Sequence, residues 1–170
     1  SLAGLRGAAD FKELSFSIEE IPLAAVTPFT LRLTADDVVF DNTQFTGGGG
    51  TNVLLDGAVA IRAGGKQNLD VNGSLNLRVL NILSPDVFLS GVSELHMRVT
   101  GGNQKPQING TASLSGASMA VLVGNDRWQI SNLKSVLRFS TDQAQIESLT
   151  GTLGGGHITV SGGALLDNFR

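Results

Sequence analysis

The chain has 170 residues, of which 41% are hydrophobic and 16% charged, with a formal net charge of −3; it is long enough for one domain and too apolar for disorder. So weak and acidic a balance offers no surface for tracking phosphates, which argues against a nucleic-acid partner. Cysteine is absent, removing disulfides and thiolate chemistry, and no apolar run approaches the roughly 20 residues of a membrane-spanning helix.

Residues 1–10 carry little pattern and are expected to be poorly ordered. Leu14, Phe16 and Ile18 then alternate with polar residues in a first short strand. Pro22 and Pro28 bracket a connection, because proline disfavours ladder pairing and an α conformation before it. Phe29, Leu31, Leu33 and Ala35 alternate next, until the phase slips at Asp36-Asp37, where Val38 and Phe40 either continue through a bulge or open another strand. After the glycine turn at 47–50, Val53, Leu55, Gly57, Val59 and Ile61 share one face up to the turn at Gly64-Gly65-Lys66. The cleanest strand is 69–79, with Leu69, Val71, Gly73, Leu75, Leu77 and Val79 on its dry side.

Ser84-Pro85-Asp86 offers an N-cap followed by proline, the signal for one helical turn. Residues 89–114 then form a strand, a turn and a strand: Leu89, Gly91, Leu95, Met97 and Val99 on one face, glycines and Pro106 in the turn at 101–106, and Ile108, Gly110, Ala112 and Leu114 beyond it. Met119, Val121 and Val123 suggest another strand, closed by Gly124-Asn125-Asp126. Trp128, Ile130, Leu133, Leu137 and Phe139 follow, with Lys134 and Arg138 on the other face; Ala144, Ile146, Leu149 and Leu153, and finally Ile158, Val160, Gly162 and Ala164, complete the series. Helical periodicity is nearly absent, so the fold class is all-β with about nine to eleven strands in a single unit over 1–170.

Asn-Gly between apolar residues normally marks a two-residue hairpin. Turning at Asn72-Gly73 mixes wet and dry residues on one face, whereas reading straight through keeps Val71, Gly73, Leu75 and Leu77 together; Asn109-Gly110 behaves alike. These glycines belong inside strands and face the dry side, which implies a close backbone approach, a bend or a gap. The recurring type of strand has no strict period, so a solenoid is not indicated.

Little in the chain carries catalysis. His96 and His157 fall on polar faces with no acidic neighbour at a telling spacing, so no catalytic and no metal site is expected, and no cofactor. The run ending Gly64-Gly65-Lys66 resembles a phosphate loop, but Ala60 stands where its first glycine belongs and Gln67 where Ser or Thr belongs. The single Trp128 gives no stacking platform. What remains is the dry face, with no polar group expected on it. It is either the filled core of a closed β-sandwich or an open trough for acyl chains, and periodicity does not separate the two.

The run 95–114, with Val99-Thr100-Gly101-Gly102, Pro106 and Ile108-Asn109-Gly110-Thr111-Ala112-Ser113-Leu114, resembles the recurring segment of the AsmA-like superfamily, most of all its TamB branch, and 69–77 and 149–165 are similar in style. That resemblance implies long antiparallel strands in a curved, taco-like sheet with an apolar concave face. It implies a non-enzymatic piece of a longer, repetitive periplasmic protein of a Gram-negative bacterium, anchored in the inner membrane by parts outside this chain. The expected partners are phospholipid, carried towards the outer membrane, and an outer-membrane β-barrel of the same module. A scaffold role in assembling or translocating β-barrel proteins by strand pairing is the alternative. On this basis the residues expected to line a lipid-binding groove are Leu31, Leu33, Val59, Ile61, Leu75, Leu77, Val79, Leu95, Met97, Val99, Leu114, Leu137, Phe139, Ile146, Ile158 and Val160.

Overall fold

Alternation of apolar and polar residues becomes, in the computed structural model, one antiparallel sheet. The structure describes residues 6–18, 21–83, 85–102, 105–141 and 143–165. In chain order the strands are β1 (Gly7–Phe11), β2 (Ser15–Ile18), β3 (Ile21–Ala25), β4 (Phe29–Leu33), β5 (Asp37–Gly47), β6 (Thr51–Ala60), β7 (Lys66–Asn76), β8 (Val87–Ser90), β9 (Val92–Gly102), β10 (Lys105–Val123), β11 (Asp126–Ser140), β12 (Gln143–Leu153) and β13 (Gly156–Leu165). Neighbours run β1-β4-β5-β6-β7-β9-β10-β11-β12-β13, with β3 beside the far half of β5, β2 outside it, and β8 beside the far half of β10. The sheet is open: β1 and β13 lie at its two ends. Neither a closed sandwich nor a parallel β-helix is formed.

The thirteen strands among the described residues exceed the nine to eleven read from the pattern. Residues 1–10 were not expected to hold structure, yet Gly7–Phe11 pairs with β4, where Phe11 stacks on Phe29 at 5.2 Å and Asp10 accepts a hydrogen bond from the Thr30 hydroxyl at 2.6 Å. The connection expected between Pro22 and Pro28 contains β3. Pro22 stands opposite Ser17 on β2 and is tolerated because β3 pairs with β5 only from Leu23 to Ala25, leaving proline beyond that second ladder. Asp36-Asp37 closes a turn and does not form a bulge: the Thr34 hydroxyl accepts hydrogen bonds from the amides of Asp36 (3.2 Å) and Asp37 (2.8 Å).

The strand expected over 69–79 ends at Asn76. The Asn76 side-chain oxygen accepts from the Arg78 amide at 3.0 Å, its Nδ2 donates to the Gly48 carbonyl at 3.3 Å, and its backbone N–H donates to the Thr51 hydroxyl at 3.1 Å. This local side-chain turn competes with the ladder, and the chain enters a 3-10 segment, Leu77–Leu83. The helical turn therefore precedes Pro85 and does not follow it; Ser84 lies outside the described residues. The segment lies along the edge of β8, where the Asn81 amide replaces a strand partner by accepting from the Leu89 N–H at 2.7 Å and donating to the Leu89 carbonyl.

Two further boundaries differ. The strand expected through Gly91 is broken there into β8 and β9, with Gly91 at φ +107 and close to Ala117. Conversely, Ile108–Leu114 and Met119–Val123 belong to one 19-residue strand, β10, which bulges at Gly116 (φ +72). Asn103 and Gln104 of the expected 101–106 turn, and Leu166 beyond β13, lie outside the described residues. The Asn-Gly pairs stand within strands as the phase required. Gly57, Gly73 and Gly110 have φ of +120, +126 and +134, and a Cβ on each would run into the carbonyl oxygen of Asn68, Asn52 or His96 on the neighbouring strand. Of the alternatives left open for these glycines, the structure takes the close backbone approach.

Candidate functional site

Residues paired directly across an antiparallel ladder share a face, so the register traces the inner surface row by row. One row joins Leu33, Val38 and Val59; a second joins Phe40, Gly57, Leu69, Val99 and Ile108. A third runs Leu55, Val71, Met97, Gly110, Phe139 and Ala144, and a fourth Phe45, Val53, Gly73, Leu95, Ala112, Leu137, Ile146 and Gly162. A fifth joins Leu75, Ser93, Leu114, Ser135, Leu149 and Val160, and Ile158 lies on this face opposite Gly151. Thirteen of the sixteen expected groove residues thus meet on one continuous face: Leu31, Leu33, Val59, Leu75, Leu95, Met97, Val99, Leu114, Leu137, Phe139, Ile146, Ile158 and Val160.

The other three stand elsewhere. Ile61 falls in the connection after β6, where its N–H bonds the Asp36 carbonyl and its side chain is exposed. Leu77 and Val79 sit in the 3-10 segment. Leu77 is buried with Ala117 and Leu133 in a small core, against which Leu80, Leu89, Leu114, Met119, Ile130 and Leu149 pack. Protein therefore fills the end of the inner face near Leu89 and Ile130. At the other end Val99, Ile108 and Phe139 stay partly exposed, while Leu95, midway, is 7% exposed. Every described strand belongs to this one sheet, so no second sheet shields Leu95 and Ala112, and their burial fits a sheet that curls. Bulges between Phe40 and Thr43, at Gly116, near Asn132 and between Ile146 and Leu149 reinforce that curl.

The inner face is not purely apolar, contrary to expectation. Thr43, Thr51, Ser93 and Ser135 are buried on it, and neither the Thr43 nor the Ser135 hydroxyl has a hydrogen-bond partner. Each serine sits between leucines of adjacent strands, Ser93 between Leu75 and Leu114, and Ser135 between Leu114 and Leu149. Small hydroxyl residues thus separate large side chains across the strands, as the glycines do in neighbouring rows. Their parity was readable, since Ser93 lies two residues from Leu95 and Ser135 two from Leu137. Also missing from the expected set are Phe11, Phe16 and Leu23, from the N-terminal end. There Phe16 and Phe29 each meet Phe45 edge-on at 5.9 Å.

Comparison of the chain with protein-family models, with curated proteins and with solved structures finds no match. The outer face is polar and cross-strand paired: Arg62 bonds Asp36 at 2.6 Å, Arg98 lies 3.8 Å from Asp70 and 2.9 Å from Asn68, and Arg138 pairs with Glu147. The hydrogen bond and charge of Asp36 hold the Arg62 guanidinium above its usual pKa. His96 faces Asn72 at 3.3 Å and, like His157, is exposed. Among the described residues no group of three or more His, Asp or Glu is placed to hold a metal ion, and no helix is long and apolar enough to cross a membrane.

Proposed function

We propose that this chain is a segment of a periplasmic bridge of the AsmA-like, TamB type, whose inner face carries phospholipid acyl chains between the inner and outer membranes. What supports this most is the continuous, predominantly apolar inner face of an open sheet, with no second sheet over its central rows. An acyl chain gains about 0.8 kcal/mol for each methylene fully covered, and a one-sided trough returns only part of that. Binding to such a face is shallow and nearly equal from site to site, which suits a chain that must slide. Movement along it needs no chemistry.

Native mass spectrometry of the protein tests this, with bound phospholipid the expected result. Met97→Glu puts a charge on the central row and is expected to abolish lipid carriage while leaving the fold intact. A folded protein that carries no lipid before and after this change rules the proposal out.

A second function, in scaffolding the assembly of outer-membrane β-barrel proteins, is favoured by β13. It has one neighbour among the described strands and its sequence, GHITVSGGAL, contains no charged residue or proline, two of the devices that normally discourage pairing at a free edge. Photocrosslinking from Ser161 or Gly163 into strands of a barrel client, without bound lipid, is the result that selects this function.

A further inference from the structure

The polar face carries a feature that the trough leaves unused. Where β8, β10 and β11 run side by side, a depression of about 280 Å³ is bordered by Arg78, Arg127, Ser90, Ser118, Gln129 and Phe88. Register places Phe88, Ala120 and Gln129 in one row and Ser90 with Ser118 in the next, and Asn81, Leu89 and Met119 also contribute to the lining. Arg127 lies over the Phe88 ring, 5.8 Å from its centroid, so the aromatic face holds the guanidinium while its N–H edges stay free to donate. Arg78 enters from the start of the 3-10 segment, just past the turn made by Asn76.

We infer that this depression is a binding site for a phosphate oxyanion. Arg62, Arg98 and Arg138 on the same face are each matched to a carboxylate. Arg78 and Arg127 make no ion pair among the described residues, and no carboxylate lines the depression between them. Asp86 and Asp126 stand at the neighbouring strand ends without bordering it. Ser90 and Ser118 add hydroxyls, and Gln129 an amide, to the lining. In a chain of net charge −3, two cations and three neutral polar groups around one concavity form a local electropositive site suited to a tetrahedral oxyanion. Both arginines are exposed, so the affinity is modest. The site lies on the face opposite the trough and holds whether or not the trough carries lipid.

Amide NMR shifts of the intact chain test this, with inorganic phosphate and dimethyl phosphate as probes and sodium chloride at matched ionic strength as control. Saturable shifts centred on Ser90, Ser118, Ala120 and Gln129 are expected, with Kd raised about fivefold by Arg78→Gln or Arg127→Gln and binding lost in the double variant. A thermal melt followed by Trp128 fluorescence verifies that the variants fold. Saturation by dimethyl phosphate supports a phosphodiester such as a lipid headgroup, and saturation by phosphate alone supports a free phosphate or monoester. Shifts that do not saturate, that chloride reproduces, or that folded variants retain overturn the assignment.

Discussion

At single residues, the sheet is governed by which positions forgo a side chain. Gly73 and Gly110 hold positive φ and face a neighbouring carbonyl, so alanine there meets both backbone strain and a clash. Gly73→Ala or Gly110→Ala is expected to cost about 2–4 kcal/mol, read as a fall in the urea midpoint at constant slope. Ser135→Ala should act in the opposite direction. Its hydroxyl is buried without a partner, and removing it is expected to stabilise by about 1 kcal/mol in the same assay. The inward glycines were legible in the sequence because alternation alone places them. The inward serines had the same parity beside Leu95 and Leu137, but a serine satisfies a polar face equally well, so parity was the only signal.

At the level of elements, the boundary between β7 and the 3-10 segment shows where periodicity stops being informative. Leu75, Leu77 and Val79 keep a strand's spacing, and it is the Asn76 amide that turns the backbone away. Nothing in an alternating pattern distinguishes an asparagine that points outward from one that caps its own backbone. The segment then supports β8 through Asn81 and buries Leu77 against Leu133, which is 2% exposed. Asn81→Ala leaves the Leu89 amide unpaired and should cost about 1–2 kcal/mol, with faster hydrogen exchange confined to β8 and β9. Leu133→Ala opens a cavity in the filled end and is expected to cost about 2–5 kcal/mol, whereas Val160→Ala, at a side chain 46% exposed, should stay within about 0.5 kcal/mol.

For the whole molecule, the all-β class and the shared apolar face followed from the pattern, but openness did not, since a strand alternates in the same way whether a second sheet or solvent faces it. The two ends of the inner surface now separate experimentally: Leu77→Asp should unfold the protein by placing a charge in the filled core, while Met97→Glu should not, as circular dichroism will report. The edge of β13, which has no second neighbour among the described strands, makes a further whole-molecule prediction. Ser161→Lys is expected to lower concentration-dependent self-association in sedimentation without changing the melting temperature. The strand order has one more consequence. Within β4 to β7 and within β9 to β13 strands consecutive in the chain pair with one another, so the loops joining them are short and their closure costs little. Such a sheet grows and frays like a zipper, hairpin by hairpin. Removing β12 and β13 together should leave the remaining strands paired, with stability falling by the two lost interfaces, β11–β12 and β12–β13. A protein built this way is free to lengthen by adding hairpins, and the distance it spans is set by their number.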